Sequence, residues 1–95
     1  MRSNTQSLAE VIKELLKNYR LDEKVAQANL QQHWEHWMGA TVNKYTHDIK
    51  LKDKKLFLRI DSSVIKNEFL YSKQTVIQNL NKELGADYIS ELILL

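Results

Sequence analysis

Ninety-five residues, with no cysteine or proline and 14 Lys and Arg against 12 Asp and Glu for a net charge of +2, narrow the possibilities at once. The length supports one domain, residues 1–95, around a single core. Lack of cysteine removes disulfide frameworks, thiolate metal sites and thiol nucleophiles, and fits a reducing compartment. No run approaches the roughly 18 apolar residues of a membrane span and no signal-type apolar core opens the chain, so a cytoplasmic protein without membrane contact is expected.

The elements follow in chain order. Ser7 and Glu10 form a capping box for a first helix, whose Leu8, Val11, Ile12, Leu15, Leu16 and Tyr19 recur at helical spacing and are expected to face inward. After a break around residues 18–21, a second helix is expected from about Glu23 towards Lys44. Its inward stripe is Leu30, Trp34, Trp37, Met38, Thr41, Val42 and Tyr45. Gly39 interrupts this helix, either to allow a close crossing or to end it early.

Beyond His47 the hydrophobic period falls to two. Ile49 and Leu51 share one face with Leu56, Leu58 and Ile60, while Lys50, Lys52, Phe57 and Arg59 take the other, across a turn at Asp53-Lys54. A third helix, capped by Asp61, Ser62 or Ser63, carries Ile65, Phe69, Val76, Ile77, Leu80 and Leu84 inward and stops at Gly85. The remaining "DYISELILL" reads as a last strand, buried on both faces. The expected fold is α+β in the order helix, helix, strand, strand, helix, strand, with a partly parallel three-stranded sheet covered by helices on one face.

The chemistry-bearing residues are few. His33 and His36, three apart on a helix, could share a metal with His47, but no H-E-x-x-H pattern accompanies them, and no metal or other cofactor is expected. No nucleophile elbow is present, and Glu10 and Glu14 fall on an outer helix face, so no enzyme and no small-molecule substrate are expected. Trp34 and Trp37 could stack on bases, yet their spacing places them in the core.

The basic residues are different in kind. Between Asn43 and Lys66 lie Lys44, Lys50, Lys52, Lys54, Lys55, Arg59 and Lys66 against Asp48, Asp53 and Asp61, a local charge of +4. Lysines alternating along a strand are often only a solvated guard for the sheet. Here they share one sign and one face, with Phe57 and Tyr45 interleaved, the pattern of a stripe that tracks a phosphate backbone while an aromatic stacks. No GxxG loop accompanies them, so weak, salt-sensitive and sequence-independent binding is expected.

The order of several short segments resembles a known family. "WEHWMG" (Trp34 to Gly39) is similar to a W-x-x-apolar-apolar-G signature, "KYTH" (Lys44 to His47) to the element that follows it, "LFLRIDSSVIKNEF" (Leu56 to Phe69) to a strand ending in paired serines, and "LNKELG" (Leu80 to Gly85) to the end of a last helix. Together they resemble the DciA-like proteins. Val64 or Ile65 stands where these often have tryptophan, and Asp53-Lys54 where they often have a turn glycine. The resemblance implies a KH-like fold and a replication accessory that binds the DnaB-type replicative helicase and assists its loading on single-stranded DNA. Two other readings of the same residues are a stand-alone KH-like module for RNA or single-stranded DNA and a plain protein-interaction domain.

Overall fold

A computed structural model describes residues 8–12 and 21–95. Residues 8–12 are helical. The elements that follow are α1 (Leu21–Met38), α2 (Ala40–Tyr45), β1 (Thr46–Lys52), β2 (Lys55–Ile60), α3 (Ser63–Tyr71), α4 (Lys73–Leu84) and β3 (Glu91–Leu94). The strands form a three-stranded mixed sheet in the order β1-β2-β3, the first pair antiparallel and the second parallel. This is the expected α+β arrangement.

The core lies between one sheet face and the helices. α1 contributes Ala26, Leu30 and Trp34, the hairpin contributes Ile49, Leu51, Leu56, Leu58 and Ile60, and α3, α4 and the last strand add Phe69, Ile77, Leu80 and Leu92. Each follows from period: steps of three and four on the helices and of two on the strands put these side chains on one side. Six of them, including Trp34, Leu56 and Leu92, are under 2% exposed, as is Ile89 ahead of β3, and each fully buried Leu or Ile stabilises the fold by roughly 1.5–3 kcal/mol.

Three details of the helices depart from the expected elements, while the cap and stop of the third helix match. The second helix divides at Gly39, which adopts φ 94° and ψ 160°, a region essentially restricted to glycine. A Cβ added there would meet nothing within 4 Å, so the residue serves the backbone bend and not a close crossing. Thr41, expected inward, is consequently exposed. The third helix also divides, at Ser72 (φ −113°, ψ 31°), into α3 and α4. Ser62 caps α3, its Oγ accepting from the Ile65 N–H at 3.3 Å, and Gly85 ends α4 in the left-handed conformation.

The last strand is only four residues long, and it is not buried on both faces: Glu91 is exposed, Leu92 buried, and Ile93 and Leu94 half-buried. No described helix is packed on the outer face of this sheet, in keeping with the alternation.

The largest departure concerns the first helix. Leu8, Val11 and Ile12, expected inward, are 61%, 61% and 49% exposed. A three-stranded sheet is about 10–15 Å wide and a helix about 10 Å across, so α1 and α4 already cover its inner face. Ser7, Leu15, Leu16 and Tyr19 lie outside the described residues.

Candidate nucleic-acid interface

Pairing register arranges the outer sheet face in rows. Lys50 on β1 sits opposite Phe57 on β2, which sits beside Ile93 on β3; one row nearer the hairpin tip are Lys52, Lys55 and Glu91; one row further away are Asp48 and Arg59. Because inward residues alternate with outward ones, burying Ile49, Leu51, Leu56 and Leu58 obliges Lys50, Lys52, Lys55, Phe57 and Arg59 to point away from the core. The four cations are exposed, and Phe57 is half-buried. The charged groups of Lys50, Lys52, Lys54, Lys55 and Arg59 have no ion-pair partner among the described residues.

The hairpin tip is a two-residue turn in which both Asp53 (φ 52°) and Lys54 (φ 63°) are left-handed, the geometry of a type I′ hairpin. Asparagine or aspartate followed by glycine is the usual choice, and lysine at the second position is strained. Surrounding bonds hold it there. The Lys54 carbonyl accepts from the N–H groups of Ser90 (2.7 Å) and Glu91 (3.2 Å) and from the Ser90 hydroxyl (3.1 Å), while the Lys54 N–H donates to Glu23 Oε2 of α1 at 3.2 Å. The tip is thereby tied to both the helix layer and the entry of β3, and Lys52, Lys54 and Lys55 project from an anchored turn.

The other two expected cations lie apart. Lys44 on α2 sits over the Tyr45 ring with its Nζ 5.6 Å from the centroid, and Lys66 on α3 donates to the Leu95 carbonyl at 3.3 Å. Both belong to the end of the sheet remote from the hairpin, where Asp61 N–H donates to the Tyr45 carbonyl. The seven residues therefore resolve into a five-membered group on the sheet and its tip, and two flanking positions engaged in local contacts.

The three histidines do not converge. His33 stacks on Trp37 with ring centroids 5.2 Å apart, His36 is exposed, and His47 Nε2 lies 3.5 Å from Asp61 Oδ2. A register shift between Thr46 and Asp48 bulges β1 at His47, turning outward a side chain that strict alternation with Ile49 would bury. Among the described residues no group of three His, Asp or Glu is placed to hold a metal ion. No described helix is long and apolar enough to cross a membrane.

Trp34 is buried, and its Nε1 donates to Thr46 Oγ1 at 3.0 Å, which in turn donates to the Val42 carbonyl at 2.7 Å. One hydroxyl thus joins α1, α2 and β1, and the tryptophan belongs to the core.

Several positioning residues escaped the periodicity reading. Gln31 Nε2 donates to the Ile49 carbonyl at 3.1 Å and Gln27 Oε1 accepts from the Leu51 N–H at 2.8 Å, so two glutamines one helical turn apart occupy the outer edge of β1 where another strand would pair. Asn81 grips Ile89 through both backbone groups, at 2.8 and 2.9 Å, and sets the path from α4 into β3. Amides beside an apolar stripe are the only hint the chain offers, because their partners are fixed by tertiary register. Glu23 and Ser90, the anchors of the tip, carry no local signal.

A family model described as "Dna[CI] antecedent, DciA" matches residues 7–94. Among curated proteins, a "UPF0232 protein" of Corynebacterium glutamicum (strain R) is 25% identical over 87 residues, a span that covers 92% of this chain and 49% of the relative. The chain thus spans about half the length of the curated relative it matches. With the match running from residue 7 to Leu94, the last residue of β3, and so spanning Trp34, Gly39, Thr46 and the paired serines, this chain belongs to the DciA family.

Proposed function

We propose that this protein is a non-enzymatic DNA-replication accessory that binds the DnaB-type replicative helicase and assists its loading on single-stranded DNA, which it holds weakly on the open sheet face. Membership of the DciA family supports the replication role. The observation that carries the DNA contact is the outer face itself: Lys50, Lys52, Lys55 and Arg59 exposed side by side, with Lys54 at the anchored tip and no ion-pair partner among the described residues. Cations so arranged attract a phosphate backbone and release its counterions, which gives affinity that falls steeply with salt and is indifferent to sequence. Lys44 and Lys66 would extend the stripe at the far end. Residues 1–95 act as one KH-like domain in the cytoplasm, without cofactor.

Two measurements test this reading. Immobilised protein should bind the helicase of the same genome saturably at physiological salt without DNA; absence of binding up to high micromolar concentration would remove the helicase from the account. Replacing Lys50, Lys52, Lys54 and Lys55 together by Glu should abolish retention of single-stranded DNA in low salt while the far-UV spectrum stays unchanged. Retention by that variant would sink the basic face, and a clear preference for RNA would favour a stand-alone KH-like module.

A further inference from the structure

Phe57 and Ile93 are the exceptions on an otherwise charged surface. Neighbours on adjacent strands, they are half-buried, yet neither belongs to the core nor to the residues packed against it. On the sheet's outer face Phe57 has Lys50 on one side and Ile93 on the other. A phenylalanine in a central strand is commonly explained by strand propensity and by the methylene stems of neighbouring lysines. That account leaves the polarity of the face unexplained. On the β1 side Phe57 faces Lys50, with Lys52 diagonal towards the tip and Asp48 diagonal away from it; an aliphatic side chain adjoins it on the β3 side, and Glu91 closes the β3 side next to the tip.

This is the pattern a nucleotide needs. A base presents a flat apolar face on one side of its sugar and a phosphate on the other, so its receptor wants a flat apolar surface with cations along one edge only. Adjacent strands are about 5 Å apart, which puts the Lys50 side chain within reach of the phosphate of a nucleotide whose base lies on Phe57 and Ile93. Glu91 repels phosphate from the start of β3 and confines the backbone to the β1–β2 hairpin. In a duplex the base faces are stacked on one another, so a duplex can use the lysines but not the phenylalanine.

We propose that Phe57 and Ile93 form a stacking platform for one unpaired base of single-stranded DNA, with Lys50 holding that nucleotide's phosphate. The proposal rests on the reading of the outer face as the DNA contact and adds a specific consequence: Phe57 sets the preference for single over double strands, whereas the lysines serve both.

The test is fluorescence anisotropy of the full chain with labelled oligothymidylate of about 12 nucleotides, within the span such sites cover, and with a duplex of equal length. Phe57→Ala should weaken single-strand binding roughly 5- to 150-fold, as expected for loss of one stacked base, and leave duplex binding within about twofold. Phe57→Trp should retain the preference. Lys50→Gln should weaken both ligands and lower the salt slope by about one. Equal losses on both ligands with Phe57→Ala, or no loss while the fourfold lysine variant still abolishes binding, would overturn the platform and leave the basic face standing. No binding by the unaltered protein would overturn both. An oligouridylate of the same length should bind no more tightly; tighter binding would overturn the assignment to DNA. As a readout that does not depend on affinity, ultraviolet crosslinking of 5-iodouracil-substituted strand should fall on the peptide containing Phe57, and crosslinking elsewhere alone would exclude it.

Discussion

The two faces of the sheet obey different rules although they are woven from the same residues. On the inner face, Leu56 and Leu58 share one buried core with Trp34 and Leu30, and the indole N–H, the one polar group of the Trp34 side chain, is answered by Thr46. On the outer face, a single half-buried aromatic sits among cations whose charges have no ion-pair partner among the described residues. The difference teaches where to look for function: an inner face that satisfies itself specifies the fold, and an outer face whose cations form no ion pair among the described residues is where a ligand is to be sought. A substitution should therefore report on one property and spare the other according to the face it touches.

The largest expected effect breaks the inner face. Trp34→Ala removes the largest fully buried side chain and should destabilise the fold by about 3–5 kcal/mol, much of the 5–15 kcal/mol typical of a domain. The urea unfolding midpoint measures it. DNA binding should fall only as far as the folded fraction does. A drop in affinity at temperatures where the variant is fully folded would show that the two faces are coupled and would break the comparison.

A smaller change sharpens it. Thr46→Val keeps the shape of the side chain but takes away the oxygen that accepts from Trp34 Nε1, leaving a buried donor without a partner. A loss of about 1–3 kcal/mol is expected by the same measurement. Thr46→Ser keeps the hydroxyl and should recover most of it. Similar losses in the two variants would mean that the methyl group, and not the hydrogen bond, is what the site requires.

How much of this was legible in the chain depends on whether an interaction is periodic. The strand faces and the buried stripe Leu30-Trp34 were readable, because alternation and helical spacing project directly onto burial. Gly85 as a helix stop was readable for the same local reason, a residue type suited to positive φ. The two breaks in the long helices were not both readable: Gly39 signalled one, but Ser72 looks like any helix-compatible residue. The inward assignment of Leu8, Val11 and Ile12 failed because an amphipathic pattern says that a face exists and not which surface it meets. Of the seven expected cations, periodicity grouped the strand-borne ones correctly on one side, but it could not show that Lys66 reaches the Leu95 carbonyl or that Lys44 lies over Tyr45. The bulge at His47 and the glutamines sealing β1 depend on register between distant segments, which no local pattern encodes.

Lys54 belongs to both faces, and it provides the finest test. Its left-handed backbone is unfavourable for any residue with a Cβ, by roughly 1–2 kcal/mol, while glycine there loses roughly 0.5–1 kcal/mol more backbone entropy on folding. Lys54→Gly keeps the backbone groups that bond Ser90, Glu91 and Glu23, so the net expectation is a gain in stability of a few tenths to about 1 kcal/mol. The same substitution deletes a cation, so the salt slope of single-strand binding should fall by about one. Stability and binding should thus move in opposite directions from a single change, as expected where local strain is retained for a ligand's sake. A gain in stability with an unchanged salt slope would remove Lys54 from the interface and leave its conformation a feature of the turn alone.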